Sequence, residues 1–163
     1  MRILADKYRN KKIINLIPKD VRTVLDIGSA GNIFKDRYET TTLDALEKAD
    51  VKQDLNKNQK LPFKDNSFDI VVMNQILEHL PSAEEIINEA KRVSKKWVLV
   101  GLPNELTYGF RIKFLIGKPD WKGYMPYFHK HFFTIDTIED FIKRFFGKYV
   151  EKVYYFSCSG GGY

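Results

Sequence analysis

Apolar residues recur along this chain at two spacings. In "DKYRNKKIINLI", Tyr8, Ile13, Leu16 and Ile17 fall at near-helical intervals opposite a basic face and Pro18 closes the segment, which predicts a leading helix. "TVLDI" is a short apolar run rich in β-branched residues that stops at Gly28, the pattern of a buried parallel strand entering a tight turn. A short helix is predicted from about Ile33 to Tyr38. A second strand over "TTTLD" ends at Asp44, and a weaker third in "DVKQDL" closes at Asp54. So few residues separate Asp44 from Asp54 that this crossover is predicted to be one turn or irregular. After the turn-rich "LPFKDNS", the run "FDIVVMN" is the clearest buried strand and ends at Asn74. "EEIINEAKRVS" carries Ile86, Ile87, Ala90 and Val93 on one helical face, with Pro81 and Ser82 at its start, and "WVLVGLP" reads as a fifth strand closed by Pro103.

Strands alternating with helical patterns predict an α/β fold, a doubly wound and mostly parallel Rossmann-like sheet with helices on both faces, because parallel strands need crossover connections. The alternation lapses from Tyr108 to His131, where aromatic and basic residues mix with glycine and proline. "TIDTIEDFIKRFF" restores a helix, with Thr134 or Asp136 as its cap and Ile138, Phe141, Ile142 and Phe145 on its face. "VEKVYYFS" then predicts a last strand. The organisation expected is one domain over residues 1–163. It comprises a leading helix (1–22), a ligand-binding core (23–106), an aromatic and basic insertion (107–133) and a closing helix and strand (134–163).

Charge sharpens this division. The chain carries a net +6, yet residues 23–106 hold 11 Lys/Arg against 14 acids, whereas residues 107–150 hold 8 against 4 and residues 1–22 hold 7 against 2. An acidic core between basic flanks suggests that the flanks meet an anionic partner or substrate. No apolar run approaches the roughly 18 residues of a membrane span, and the charged first 20 residues are not a secretory signal, so a cytoplasmic protein is expected. The lone Cys158 reads as a small apolar residue.

In an open α/β sheet, ligands sit beyond the carboxyl ends of the strands. Asp26 with Gly28, Asp44, Asp54 and Asn74 all fall at such predicted ends. Gly28 lets the backbone approach a ligand, and Asp44 can accept two hydrogen bonds from a ribose diol. The stretches "VLDIGSAGN", "TLD", "QDLN", "LPFKDNSFDIVVMNQILEHL" and "EAKRVSKKWVLVGLPN" occur in an order and spacing that resembles class I S-adenosylmethionine-dependent methyltransferases, particularly their small-molecule and glycan-modifying branch. The resemblance covers residues 23–104. The glycine turn departs from the family pattern Asp-x-Gly-x-Gly-x-Gly, aligning as Asp26, Gly28, Ala30 and Asn32 with Gly31 out of phase. Alanine adds a methyl group at a close approach, while asparagine tolerates positive φ.

The resemblance implies S-adenosylmethionine as co-substrate and S-adenosylhomocysteine as product. The donor would be held by Asp26, Gly28, Ser29 and Ala30 in the first turn, Asp44 and Ala45 at the ribose, Asp54 and Leu55 at the adenine, and Asn74 with Gln75 near the methionine portion. It also implies a final antiparallel strand after the one predicted in "VEKVYYFS"; the expectation is that the sheet edge is incomplete, that the sequence ends early, or that another chain covers the edge. His79 in "LEHL" and the pair His129 and His131 are candidate general bases, although His79 reads equally as a capping or packing residue. The two later histidines lack a third metal ligand at a suggestive spacing, so no metal site is expected. The acceptor expected is a small molecule or glycan-type compound with negative charge. Arg111, Lys113, Trp121, Lys122 and Tyr124 could instead touch a membrane surface or stack on nucleic acid, or form a small core with a solvated rim. Nucleic acid is disfavoured as acceptor by the absence of an Asn-Pro-Pro-Tyr motif. A non-catalytic binding or regulatory module of the same fold is the alternative from another class.

Overall fold

The computed structural model describes residues 10–28, 33–104, 111–112, 115–117, 130–131, 133–147, 150–151 and 153–154. Helix α1 occupies residues 10–16. The sheet contains β1 (Thr23–Ile27), β2 (Glu39–Asp44), β3 (Val51–Lys52), β4 (Phe68–Asn74) and β5 (Ser94–Gly101) in the order β3-β2-β1-β4-β5, with every pairing parallel. Helix α2 (Ala83–Val93) joins β4 to β5, and helix α3 (Ile135–Phe145) lies later in the chain. This is the doubly wound arrangement that the alternating pattern predicts.

The two sheet faces explain the unbroken apolar runs of β1 and β4. Side chains alternate across a strand, so Leu25, Ile27, Val71 and Met73 join one buried cluster with α2, while Val24, Ile70 and Val72 join another with Ile13, Ile17 and Phe34. Phe141 and Phe145 of α3 pack against the first cluster. The α2 helix starts where Ser82 Oγ accepts the Glu85 amide. Thr134, rather than Asp136, caps α3, through a capping box in which Thr134 and Thr137 each accept the other's amide.

Polar clamps fix the lower edge and the long connections. Asp69 on β4 accepts the amides of Arg22 and Thr23 at 2.9 and 3.0 Å, locking the start of β1 against β4. Those two donors hold its carboxyl well below the usual carboxylate range. Arg92 at the end of α2 uses all five donors: it donates to both Glu89 oxygens, to Asp65, and to the carbonyls of Leu61 and Phe63. Glu89 in turn accepts the Leu61 amide at 2.8 Å. The segment "LPFKD" is thereby fastened to α2, and a structural clamp underlies part of the most distinctive stretch of the sequence.

The structure corrects several expectations. Residues 33–37 form turns and not the predicted helix; Arg37 and Tyr38 amides both converge on the Phe34 carbonyl, whose side chain is buried. β3 ends at Lys52, so Asp54 lies two residues beyond the strand that it was expected to close. The Asp44–Asp54 crossover is irregular, as its length predicts; Asp50 within it accepts the Thr42 amide and hydroxyl at 2.9 and 2.7 Å. β5 begins at Ser94, directly after α2, earlier than the predicted strand. In "VEKVYYFS", Val150, Glu151, Val153 and Tyr154 belong to no strand: the Val150 amide turns back to the Gly147 carbonyl, and Val153 and Tyr154 are exposed. The rest of that segment, and Cys158 after it, lie outside the described residues. No helix among the described residues is long and apolar enough to cross a membrane.

Candidate active site

Strand order reverses between β1 and β4, so the crevice beyond their carboxyl ends is where an open sheet of this kind receives a ligand. Gly28, just after β1, has φ +74° and donates its amide to the Leu43 carbonyl at 2.8 Å. A Cβ there would lie 2.9 Å from the Ile76 side chain, so glycine is required both by conformation and by the turn that follows β4. Asp26 is buried, and alternation places it on the Val24 face of β1. Ser29, Ala30, Gly31 and Asn32 lie outside the described residues.

At the end of β2, Asp44 is half-buried; its Oδ1 accepts the Leu46 amide at 3.0 Å and its carbonyl accepts the Gln53 amide at 2.9 Å. Ala45 beside it is exposed. Asp54 caps its own turn, its Oδ1 accepting the Asn56 amide at 3.0 Å, with Lys57 Nζ 3.7 Å from its other oxygen. The Asn56 amide is the main cause that lowers its pKa, which keeps the carboxylate ionised. The Leu55 side chain belongs to the core, leaving its backbone as the part that can meet a ligand.

After β4 the chain turns sharply. Gln75 has φ +53° and donates its amide to the Gly101 carbonyl at 2.8 Å. A Cβ on Gly101 would come within 2.3 Å of Asn74 Oδ1, so this glycine makes room for the carboxamide. A single 3₁₀ turn (Leu77–His79) follows, ending at His79, and α2 starts only at Ala83. His131 arrives from the distant segment: its Nε2 lies 3.0 Å from the Leu80 carbonyl, and the Lys130 and His131 amides donate to the Glu78 carbonyl at 2.6 and 3.3 Å. A carbonyl only accepts, so Nε2 carries the proton and Nδ1 is the nitrogen able to receive one. His129 lies outside the described residues.

Gly28, Asn74 and Gln75 thus lie at the carboxyl ends of β1 and β4, with Asp26 buried on β1 and Asp44 at the next strand end, while His79 closes the turn after β4, His131 is hydrogen-bonded to that turn, and Asp54 stands on a turn beyond edge strand β3. Sequence reasoning missed Gly101, Ile76 and the buried Glu78, as well as the link from Lys130 Nζ to Asn56 Oδ1 at 2.7 Å. No local signal marks Gly101, which meets Asn74 only when β4 and β5 pair in register. The Lys130–Asn56 contact joins residues 74 positions apart and left none.

Residues 25–99 match the family model described as a methyltransferase domain. An uncharacterized protein of Methanocaldococcus jannaschii is 38% identical over 58 residues, 34% of this chain and 28% of that protein, so the chain matches little more than a quarter of its curated relative. Among solved structures, a SAM-dependent methyltransferase from Archaeoglobus fulgidus superposes with a TM-score of 0.59 at 21% identity, covering 88% of this chain and 67% of that one. A SAM-dependent methyltransferase from Thermotoga maritima gives a TM-score of 0.58 at 20% identity over 89% and 78% of the two chains. Residues 25–99 thus carry a match to a methyltransferase domain, and the chain has the fold seen in the SAM-dependent methyltransferases.

Proposed function

We propose that the protein transfers a methyl group from S-adenosylmethionine to a small-molecule or glycan-type acceptor that carries negative charge, releasing S-adenosylhomocysteine. The observation that supports this most is the grouping of Gly28, Asp44, Asn74 and Gln75 at the carboxyl ends of β1, β2 and β4, around the strand-order reversal. In this reading the Asp44 carboxylate receives the ribose diol and Asn74 with Gln75 meets the methionine end. The Asp54 turn receives the adenine amino group, and Asp26 and Ala45 shape the bed, with Ser29 and Ala30 completing the turn.

When bound, S-adenosylmethionine supplies an already activated methyl group. The acceptor's lone pair forms the new bond to the methyl carbon as the carbon–sulfur bond breaks and its electron pair returns to sulfur; the acceptor's proton passes to a base. The chain's part is to align the reactants, exclude water and accept that proton. His131 Nδ1 and His79 are the described candidates, and His129 a third. The excess of Lys and Arg over acids in residues 107–150 supports an anionic acceptor. Titration calorimetry with S-adenosylmethionine, S-adenosylhomocysteine and NAD tests the reading: the first two bind and NAD does not. A folded sample silent to both sulfur ligands at roughly millimolar concentration would overturn it.

A further inference from the structure

Two turns that would face opposite ends of the donor are joined by a dipeptide far away in the sequence. Lys130 and His131 hydrogen-bond by their amides to the Glu78 carbonyl, and His131 Nε2 bonds to the Leu80 carbonyl, which seats the pair on the turn after β4. From that seat the Lys130 ammonium donates to Asn56 Oδ1 at 2.7 Å. Asn56 is the residue whose amide is held by Asp54 Oδ1 at 3.0 Å. The same loop is anchored near α2 by the Gln59 side chain, which donates to the Ser82 carbonyl at 2.8 Å, and by buried Leu55 and Leu61. Between these anchors the Asn56 side chain is exposed, and the Lys130 cation fixes it from outside.

We propose that Lys130 is a positioning residue for the donor: seated on the post-β4 turn, it holds the Asn56 turn and, through it, the orientation of the Asp54 carboxylate at the adenine end. This rests on the donor reading given above. Because Asn56 accepts from Lys130 with its side chain and donates to Asp54 with its amide, loss of the cation loosens the turn while the core beneath it stays packed. Its effect is therefore on adenosine recognition, common to every ligand that carries adenosine.

The test is a double-mutant cycle on the full chain, read by calorimetry with S-adenosylhomocysteine and with adenosine alone. Lys130→Met, which keeps the apolar stem, and Asn56→Ala should each weaken both ligands by roughly fivefold, the worth of one ordinary hydrogen bond at an exposed position. The double variant should be no weaker than either single one, Lys130→Arg should restore most of the affinity, and thermal midpoints should stay close to the wild-type value. Unchanged affinity in Lys130→Met, or additive losses in the double variant, would overturn the proposal while leaving the donor reading intact. A wild-type chain that binds neither ligand would overturn both. Should Lys130→Met fail to fold, Asn56→Ala carries the same comparison: no loss of adenosine affinity in it would overturn the proposal.

Discussion

At the scale of single residues, the site depends on two glycines that act in different ways. Gly28 combines φ +74° with a space closed by Ile76 at 2.9 Å, so Gly28→Ala is strained in backbone and contact together. It should cost about 1–3 kcal/mol of stability in urea unfolding; a loss within experimental error of zero would contradict the conformation described. Gly101 has no such backbone demand, but an added Cβ would displace the end of the Asn74 side chain. Gly101→Ala should therefore leave the unfolding midpoint nearly unchanged while weakening S-adenosylhomocysteine several-fold, roughly the effect of one misplaced hydrogen-bonding group. Equal affinity in this variant would remove Asn74 from the binding set. Gly28 was legible in the sequence because a glycine after an apolar run has a local conformational meaning. Gly101 was not, since its neighbour across the sheet is known only once β4 and β5 are paired in register.

At the scale of elements, the apolar rhythm carried the fold, and the exceptions have physical causes. β1 and β4 were legible because strands buried on both faces must be continuously apolar. The segment 33–37 was misread since its short pattern of Ile33, Phe34 and Tyr38 suits a packed turn as well as a helix. Arg92 joins α2 to "LPFKD" through side-chain contacts that no periodicity announces. Arg92→Met should cost about 1.5–3 kcal/mol in denaturant unfolding, as hydrogen bonds to charged groups are lost and two carbonyls are left without it. Arg92→Lys should recover only part, since an ammonium cannot reproduce the fork on Glu89.

The polar edge also sets an acid dependence. The Thr42 hydroxyl and amide lower the Asp50 pKa from 3.8 to about 2, and Asp69 is lowered further by the Thr23 and Arg22 amides. Both groups have depressed folded-state values, so their contribution is complete above the ordinary carboxylate range and is lost as pH falls through the folded values. Thermal midpoints should decline as pH is lowered from about 4 toward 2. Asp50→Asn should flatten the part of that decline due to Asp50, and a variant that keeps the wild-type slope would remove Asp50 as a contributor.

At the scale of the whole molecule, the donor half and the acceptor half differ in how much a sequence could reveal. The proposed donor side rests on strand ends that follow directly from the alternation of elements, and its described residues lie close together in sequence within the matched stretch 25–99. The segment proposed to meet the acceptor has an aromatic and basic composition without periodicity, and Lys130 and His131 within it meet the core through contacts of long sequence separation. Composition could suggest an anionic acceptor there but not the link back to Glu78 and Asn56. The claim on which the rest depends is that the crevice beyond β1, β2 and β4 holds S-adenosylmethionine by its ribose on Asp44. The direct measurement is calorimetric affinity for S-adenosylhomocysteine in the wild type and in Asp44→Ala. The prediction is saturable binding that the substitution weakens by at least about tenfold, the equivalent of 1.4 kcal/mol; equal affinity in the two proteins, or no binding by a folded wild type, would contradict it.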